Sequence, residues 1–376
     1  MPNDNWVWKH PNWPNFVFPP DQLADAESTF IKGAGINIGI ASQLNTEQQG
    51  ELEVQLLSAM ALETSEIEGE ILNRDSVQAS IRKQLGLQTE PRTSTPAESG
   101  IAEMMVSLFQ RYQDPLTHET LSEWHCMVMQ GPRDIGTMGA YRTHQEPMQI
   151  VSGPEYDRKI HFEAPPSSQV KDEMNKFLTW FTDTAPDGYQ PMGPLTRAAI
   201  AHVWFECIHP YEDGNGRIGR AIAEKAIAQS IGCPTVSSLS NIMLERRKQY
   251  YAELAKMNRR LDIEEWLSWF ADVALSAQQN TRQNVLFLIE KAKLFDRTSS
   301  HLNQRQEKVI SRLFDAGPKG FIGGLSAANY RSLTGASTAS TTRDLTDLVG
   351  RNILTRTGER KSTRYYLNIE SDIKGL

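Results

Sequence analysis

Pro194 and Pro234 bracket the part of this sequence that most restricts its fold. An apolar run after Pro194 has helical spacing and is closed by His209-Pro210, and a second begins at Gly216 and ends near Gly232 and Pro234. The spacing predicts helices over 195–208 and 216–231, with "HPYEDGNG" as the loop between them. Similar periodicity predicts further helices over 46–71, 101–112, 117–129, 168–184 and 244–261, and from 263 into the 290s. A mainly α chain is therefore expected.

Two segments depart from this rhythm. Residues 138–166 carry the short extended runs "MQIV" and "KIHFEA" around a turn-rich segment, which predicts a β-hairpin. From about residue 303 the order becomes helix, helix, helix and two short strands around "ILTRTG" and "TRYYLN", the order of a winged helix-turn-helix with 337–349 as its third helix. A linker-like stretch, "LQTEPRTSTPAESG", and a boundary near residue 300 divide the chain into an N-terminal helical region (1–100), a central domain (101–300) and the winged helix (301–376).

At 376 residues the chain has room for two or three domains, and its net charge of -7 argues against nonspecific nucleic-acid binding by the whole molecule. It has no uninterrupted apolar run of membrane-spanning length, and its N-terminus lacks a basic segment followed by an apolar one. A cytoplasmic location without a membrane partner is expected. Cys126, Cys207 and Cys233 show no C-x-x-C spacing, which points to core positions rather than a disulfide framework or a thiolate zinc site.

The loop before Gly216 concentrates the chemistry. A glycine-bearing loop that opens a helix presents unpaired backbone N–H groups and the positive end of the helix dipole, which suits a phosphate. Arg217 and Arg220 project from nearly one side of that first turn, where two cations oppose the dipole unless an anion is bound. Guanidinium groups fork across phosphate oxygens and stay charged. Asp213 offers a hard oxygen ligand suited to Mg2+, and His209 is the obvious general base. An EF-hand reading fails, because with Gly216 in its sixth position the twelfth is Ile222 rather than Glu.

The whole string "HPYEDGNGRIGR" resembles the signature of Fic domain proteins: His-Pro-Phe, a variable residue, an acid, Gly-Asn-Gly-Arg, and a second Arg three residues on. Tyr211 in place of Phe is the departure from it. The helical body, the hairpin ahead of the signature and "YRT" at 141–143 sit where that family has them, so the resemblance covers roughly residues 45–290. The N-terminal "WVWKHPNWPNFVF" also resembles the leader domain of one bacterial Fic subgroup, and a winged helix is a common companion.

The resemblance implies a Fic-type helical bundle with a β-hairpin flap, and a protein adenylyltransferase that moves AMP from ATP to a Ser, Thr or Tyr hydroxyl of a target protein. It makes His209 the base and Asp213 the Mg2+ ligand. Gly214, Asn215 and Gly216 line the anion hole, and Arg217 and Arg220 bind the outer phosphates. The hairpin, through Met148, Gln149, Ile150 and 160–162, becomes a flap that pairs with an extended target segment. The segment "QYYAELAKMN" becomes the adenine side, with Tyr251 and Asn258 on one helix face.

Thr64, Glu68 and Gly69 match the family's inhibitory motif of Ser or Thr, three residues, Glu, then Gly or Asn. Thr64 and Glu68 share one helical face, Gly69 suits a helix end, and a carboxylate there would reach Arg220, the arginine needed by the γ-phosphate. In some relatives the same Glu positions a water that removes AMP, which leaves a bifunctional enzyme open. The alternative class is a DNA-binding regulator with a Fic body: Arg343, Arg360, Lys361 and Arg364 are placed for DNA phosphates, against Asp344 and Asp347 on the same third helix. The intact signature favours the enzyme. The target protein, homodimer formation and the winged helix's partner, DNA or protein, stay open.

Overall fold

The computed structural model describes residues 5–88, 92–132, 135–153, 158–234, 238–298, 302–315 and 323–369. In chain order the elements are α1 (Ala24–Ala41), α2 (Thr46–Ile67), α3 (Arg74–Gln84), α4 (Pro96–Gln110), α5 (His118–Val128), β1 (Gln149–Ser152), β2 (Lys159–Glu163), α6 (Ser167–Asp183), α7 (Pro194–Ile208) and α8 (Asn215–Ile231). There follow α9 (Leu239–Glu245), α10 (Arg247–Met257), α11 (Glu264–Thr298), α12 (Gln304–Asp315), α13 (Ala327–Thr334), α14 (Thr338–Gly350), β3 (Leu354–Thr357) and β4 (Arg364–Leu367). The fold is mainly helical, and β1–β2 and β3–β4 each form a two-stranded antiparallel sheet. No helix among the described residues is long and apolar enough to cross a membrane.

The chain packs as two compact units, one of Met1–Ile38 with Glu53–Gln279, the other of Gly39–Leu52 with Asn280–Leu376. Thr64 and Glu68 thus belong to the same unit as α7 and α8. That first unit is built around α7, whose residues are buried on nearly every side. A helix without a polar face is a core helix, so the loop that follows it hangs from the core of the unit. Even Arg197 is enclosed there: it donates to the Phe181 carbonyl (2.8 Å) and lies 4.1 Å from the Phe181 ring centre.

The helical expectations hold in outline and differ in three places. Helix α2 stops at Ile67 rather than near 71, because Gly69 adopts φ 86° and the Glu70 N–H turns back to the Ser65 carbonyl (3.0 Å). This is the left-handed turn that glycine takes without strain. The helix expected over 244–261 is the shorter α10, 247–257, preceded by an unexpected α9 that ends at Glu245; Arg246, whose side chain is tied to Asp272 and Ser276, stands between them. Helices α1 and α3 lack a strong local signal. α1 carries three glycines, and α3 is mostly polar, held by the Asn73 cap and the apolar pair Val77 and Ile81. Glu98 then braces the turn between α2 and α3 from a distance: it closes the capping box with Thr95 and accepts the Asn73 N–H at 3.0 Å.

The expected hairpin is β1–β2, with Gln149 opposite Glu163, Ile150 opposite Phe162 and a register shift after Ile150. Its tip, 154–157, lies outside the described residues.

In the second unit α12, α13 and α14 precede β3–β4 around a core that includes Val309, Ile310, Leu345, Leu348 and Ile353. Asp344 is turned inward, accepting from Arg305 (2.9 Å), Tyr330 (2.9 Å) and Asn303 (3.1 Å). It is an internal joint and does not oppose Arg343 on the surface, as the sequence suggests. Arg343 and Arg360 are exposed, and the Lys361 side chain lies outside the described residues.

Candidate active site

The loop after α7 is fixed from both sides. His209 caps α7 in the left-handed region (φ 50°, ψ 60°), a conformation uncommon outside glycine. Arg142, from the "YRT" triplet, holds it there. Its Nε donates to the His209 carbonyl (2.8 Å), its Nη2 to those of Pro165 (2.6 Å) and Ile208 (3.2 Å), and its backbone N–H to that of Pro210 (3.0 Å). Burial lowers the Arg142 pKa to about 10, so the group remains charged at neutral pH. From the other side, Asn215 accepts the Tyr211 N–H (2.9 Å) and donates to the Tyr211 carbonyl (2.8 Å). Tyr211 stacks on His125 at 4.1 Å and is fully buried, so an aromatic other than Phe serves as the loop's apolar anchor. Gly214, at φ 82°, then caps α8.

This loop forms one wall of a cavity of about 500 Å3. His209, Asp213, Gly214, Asn215 and Gly216 all line it, as do Tyr251 and Asn258 from the α10 side. The flap contributes Ile150 and Phe162. Of the three flap positions singled out in β1 and just before it, Met148 instead packs against Trp6 and Phe162, and Gln149 donates to the Glu163 carboxylate (2.9 Å). Alternation along the strand turns Gln149 away from Ile150, whereas Met148, just before β1, is drawn into the cluster of Trp6, Phe162 and Ala164.

Arg217 and Arg220 are almost wholly buried, and their guanidinium groups meet acids from the end of α2. Arg220 Nη2 lies 2.8 Å from Glu68 Oε1, while its Nε donates to Thr64 Oγ1 (2.8 Å) and Nη2 also to the Thr64 carbonyl (2.9 Å). Tyr250 stands behind it at 3.4 Å. Arg217 Nη1 donates to Glu70 Oε2 at 2.8 Å, and its Nη2 is 3.8 Å from Asp213 Oδ2. Glu68 Oε1 also presses so close to Gly216 that any Cβ there would collide with it. Tyr251 donates to the Ile67 carbonyl (3.1 Å) and approaches Glu68 Oε2 (3.4 Å). Thr64, Glu68 and Arg220 therefore come together as the resemblance to the inhibitory motif implies, with Glu68 placed just past the helix rather than within it. Glu70, Arg142 and Tyr250 are not singled out by the inhibitory motif or the signature.

Burial sets the charges. It lowers the His209 pKa to about 4, helped by the nearby Arg142 charge and opposed by Glu68 and Asp213. It raises Glu206 to about 8 and lowers His202 to about 3. For Arg220 burial works against the cation, but the Glu68 carboxylate outweighs it and the pKa rises. At neutral pH both histidines and Glu206 are therefore uncharged, and Arg220 is charged. No group of three or more His, Cys, Asp or Glu suited to a metal occurs among the described residues. One half-exposed carboxylate, Asp213, on a cavity wall fits an ion such as Mg2+ that completes its shell with water and substrate phosphates, and does not fit zinc.

Residues 115–227, which span this loop, α7 and α8, match the Fic/DOC family. The chain carries a Fic domain. Residues 6–87 match a domain of unknown function (DUF4172). Over 154 residues the chain is 29% identical to protein adenylyltransferase fic-1 of Caenorhabditis elegans, covering 40% of this chain and 26% of that protein. The chain thus spans about a quarter of the length of the curated relatives first matched. Among solved structures, a Fic family protein from Desulfovibrio desulfuricans G20 superposes with a TM-score of 0.50 at 22% identity, covering 94% of this chain and 98% of the other. A Fic domain containing signaling protein from Bacteroides thetaiotaomicron VPI-5482 gives 0.51 at 18% identity, covering 68% of this chain and 97% of the other. The fold surrounding the cavity is the Fic fold.

Proposed function

We propose that this chain is a protein adenylyltransferase, moving AMP from ATP to a Ser, Thr or Tyr hydroxyl of a protein, and that Glu68 restrains it. The observation that carries this reading is the convergence of His209, Asp213 and the 214–216 turn on one cavity, beside two arginines that are each paired with a carboxylate. The matches to proteins named protein adenylyltransferase support it.

With a pKa near 4, His209 is neutral at physiological pH and free to accept a proton. It takes the proton of the acceptor hydroxyl as that oxygen attacks the α-phosphorus; the bond from that phosphorus to the bridging oxygen breaks, and pyrophosphate leaves. A bound triphosphate adds negative charge near the imidazole, which raises its pKa and makes it a stronger base in the complex. The N–H groups opening α8 and the helix dipole favour the anion, and Arg217 and Arg220 neutralise the outer phosphates once their carboxylates withdraw. Asp213 would hold Mg2+, which when bound would supply further neutralisation of the phosphates. The flap aligns an extended acceptor segment by main-chain pairing.

While Glu68 holds Arg220, the terminal phosphate lacks its guanidinium and meets a like charge. Glu70 does the same to Arg217, so both phosphate arginines are covered together. Glu68 also borders the cavity, where it would orient a water for hydrolytic AMP removal. A pre-modified acceptor losing its label to the parent chain but not to Glu68→Gly would assign that second reaction. The main reading is tested with ATP labelled on the α-phosphate. Protein-bound label should rise for Glu68→Gly and vanish when His209→Ala is added; equal labelling by parent, Glu68→Gly and His209→Ala would sink it.

A further inference from the structure

The N-terminal segment "WVWK", to which the signature and the inhibitory motif give no role, reaches both walls of the cavity. Two paired strands are marginally stable by themselves in water, so the flap requires outside support to hold one position. Residues 6–9 provide it. Buried Trp6 meets Phe162 of β2 edge-on, with ring centres 5.5 Å apart at 88°. Trp8 Nε1 donates to the Glu163 carbonyl at 2.7 Å, and Lys9 Nζ lies 3.6 Å from the Glu163 carboxylate. Because the Ala164 N–H bonds across to the Met148 carbonyl, the neighbouring Glu163 carbonyl points away from β1. Trp8 therefore occupies the outer edge of β2 at its base.

The same segment grips the opposite wall. The Val7 N–H donates to the Asn258 carbonyl at 2.9 Å, and the Arg259 guanidinium lies 3.5 Å from the Trp6 ring centre, a cation over an aromatic face. Phe162 and Asn258 both line the cavity, and residues 6–9 touch each of them or its immediate neighbour.

We propose that residues 6–9 form a clip that fixes the flap relative to the nucleotide side of the cavity and so positions the acceptor strand. The clip also closes the β2 edge at Glu163, directing an added strand to the β1 edge. These are positioning residues: they act through β2, and Trp8 acts through a single backbone carbonyl. The acceptor part of the proposal rests on the adenylyltransferase reading.

The test is Trp8→Phe, which keeps an aromatic ring and removes the donor, made in the Glu68→Gly chain. Two readouts are compared: amide hydrogen exchange over 158–163, and steady-state transfer with protein acceptor and ATP varied separately. The proposal expects exchange in β2 to quicken about fivefold, the worth of one neutral hydrogen bond, and KM for the acceptor to rise by about the same factor. KM for ATP and kcat should stay as they are. Unchanged exchange in β2 would overturn it, as would acceptor and ATP constants worsening together, which marks general destabilisation. If the Glu68→Gly chain labels no acceptor, the functional reading fails, and exchange in β2 still decides whether the clip holds the flap.

Discussion

Glu70→Gln removes a charge from the covered phosphate site without removing bulk. Glu70 meets Arg217 at 2.8 Å, with the arginine side chain 4% exposed and the glutamate 24%. A hydrogen bond to a charged partner in such surroundings contributes about 1.5–3 kcal/mol. Arg217 keeps a second, longer partner in Asp213 at 3.8 Å, which favours the lower end of that range. At about 1.4 kcal/mol per factor of ten, the balance between covered and open site shifts about tenfold towards open. Initial rates of label transfer from α-labelled ATP should then show an apparent KM for ATP about tenfold lower than the parent, with kcat little changed. Glu68→Gly should act more strongly, because Glu68 is tied to the more deeply buried arginine and presses on Gly216. Both acids leave the same turn after α2, so freeing one loosens the other, and the double variant should gain less than the sum of the two effects. Glu70→Gln rates indistinguishable from the parent at low ATP, in an assay where Glu68→Gly is activated, would refute the two-pronged restraint.

Other consequences follow from single side chains. His209→Ala in the Glu68→Gly background should lower transfer by about 100-fold or more while ATP binding, followed by calorimetry, persists; comparable loss of both would place His209 in binding instead. Glu206 has its pKa raised from 4.5 to about 8, so the folded chain holds a proton that the unfolded chain has released between those values. Its contribution to stability is therefore full below about pH 4.5 and declines as pH rises through 8, and Glu206→Gln should flatten that part of the melting-temperature profile. An unchanged slope would contradict the burial argument. Arg142→Met leaves the Pro165, Ile208 and His209 carbonyls short of a donor, and thermal unfolding should show a loss of about 3 kcal/mol, with transfer failing even where the chain remains folded.

The loop after α7 is legible in sequence because its candidate chemistry is local: His209, Asp213, the 214–216 turn and both arginines lie within one loop and the first turns of one helix. Thr64 and Glu68 are legible through their resemblance to the inhibitory motif, with helix periodicity putting them on one face, although the αL glycine ends the helix one residue before Glu68. Glu70 and Arg217 are 147 positions apart, and only the turn made by Gly69 brings them together, so no local pattern reveals the pair. The "YRT" triplet marks Arg142, but the carbonyl groups that it grips carry no residue-type signal. The flap is readable as strand, but Met148 packs with Trp6, Phe162 and Ala164 while Ile150 lines the cavity, a split that depends on tertiary packing and not on strand period. The fold class follows from periodicity, whereas α1 and α3 escape because tertiary contacts and a cap, rather than a strong apolar stripe, sustain them.

AMP transfer is tested by incubating the Glu68→Gly chain and a protein acceptor with ATP carrying label on either the α- or the γ-phosphate. Acid-stable label on protein is expected from the α-position alone, abolished by adding His209→Ala. Label arriving from the γ-position, or from neither, would contradict it.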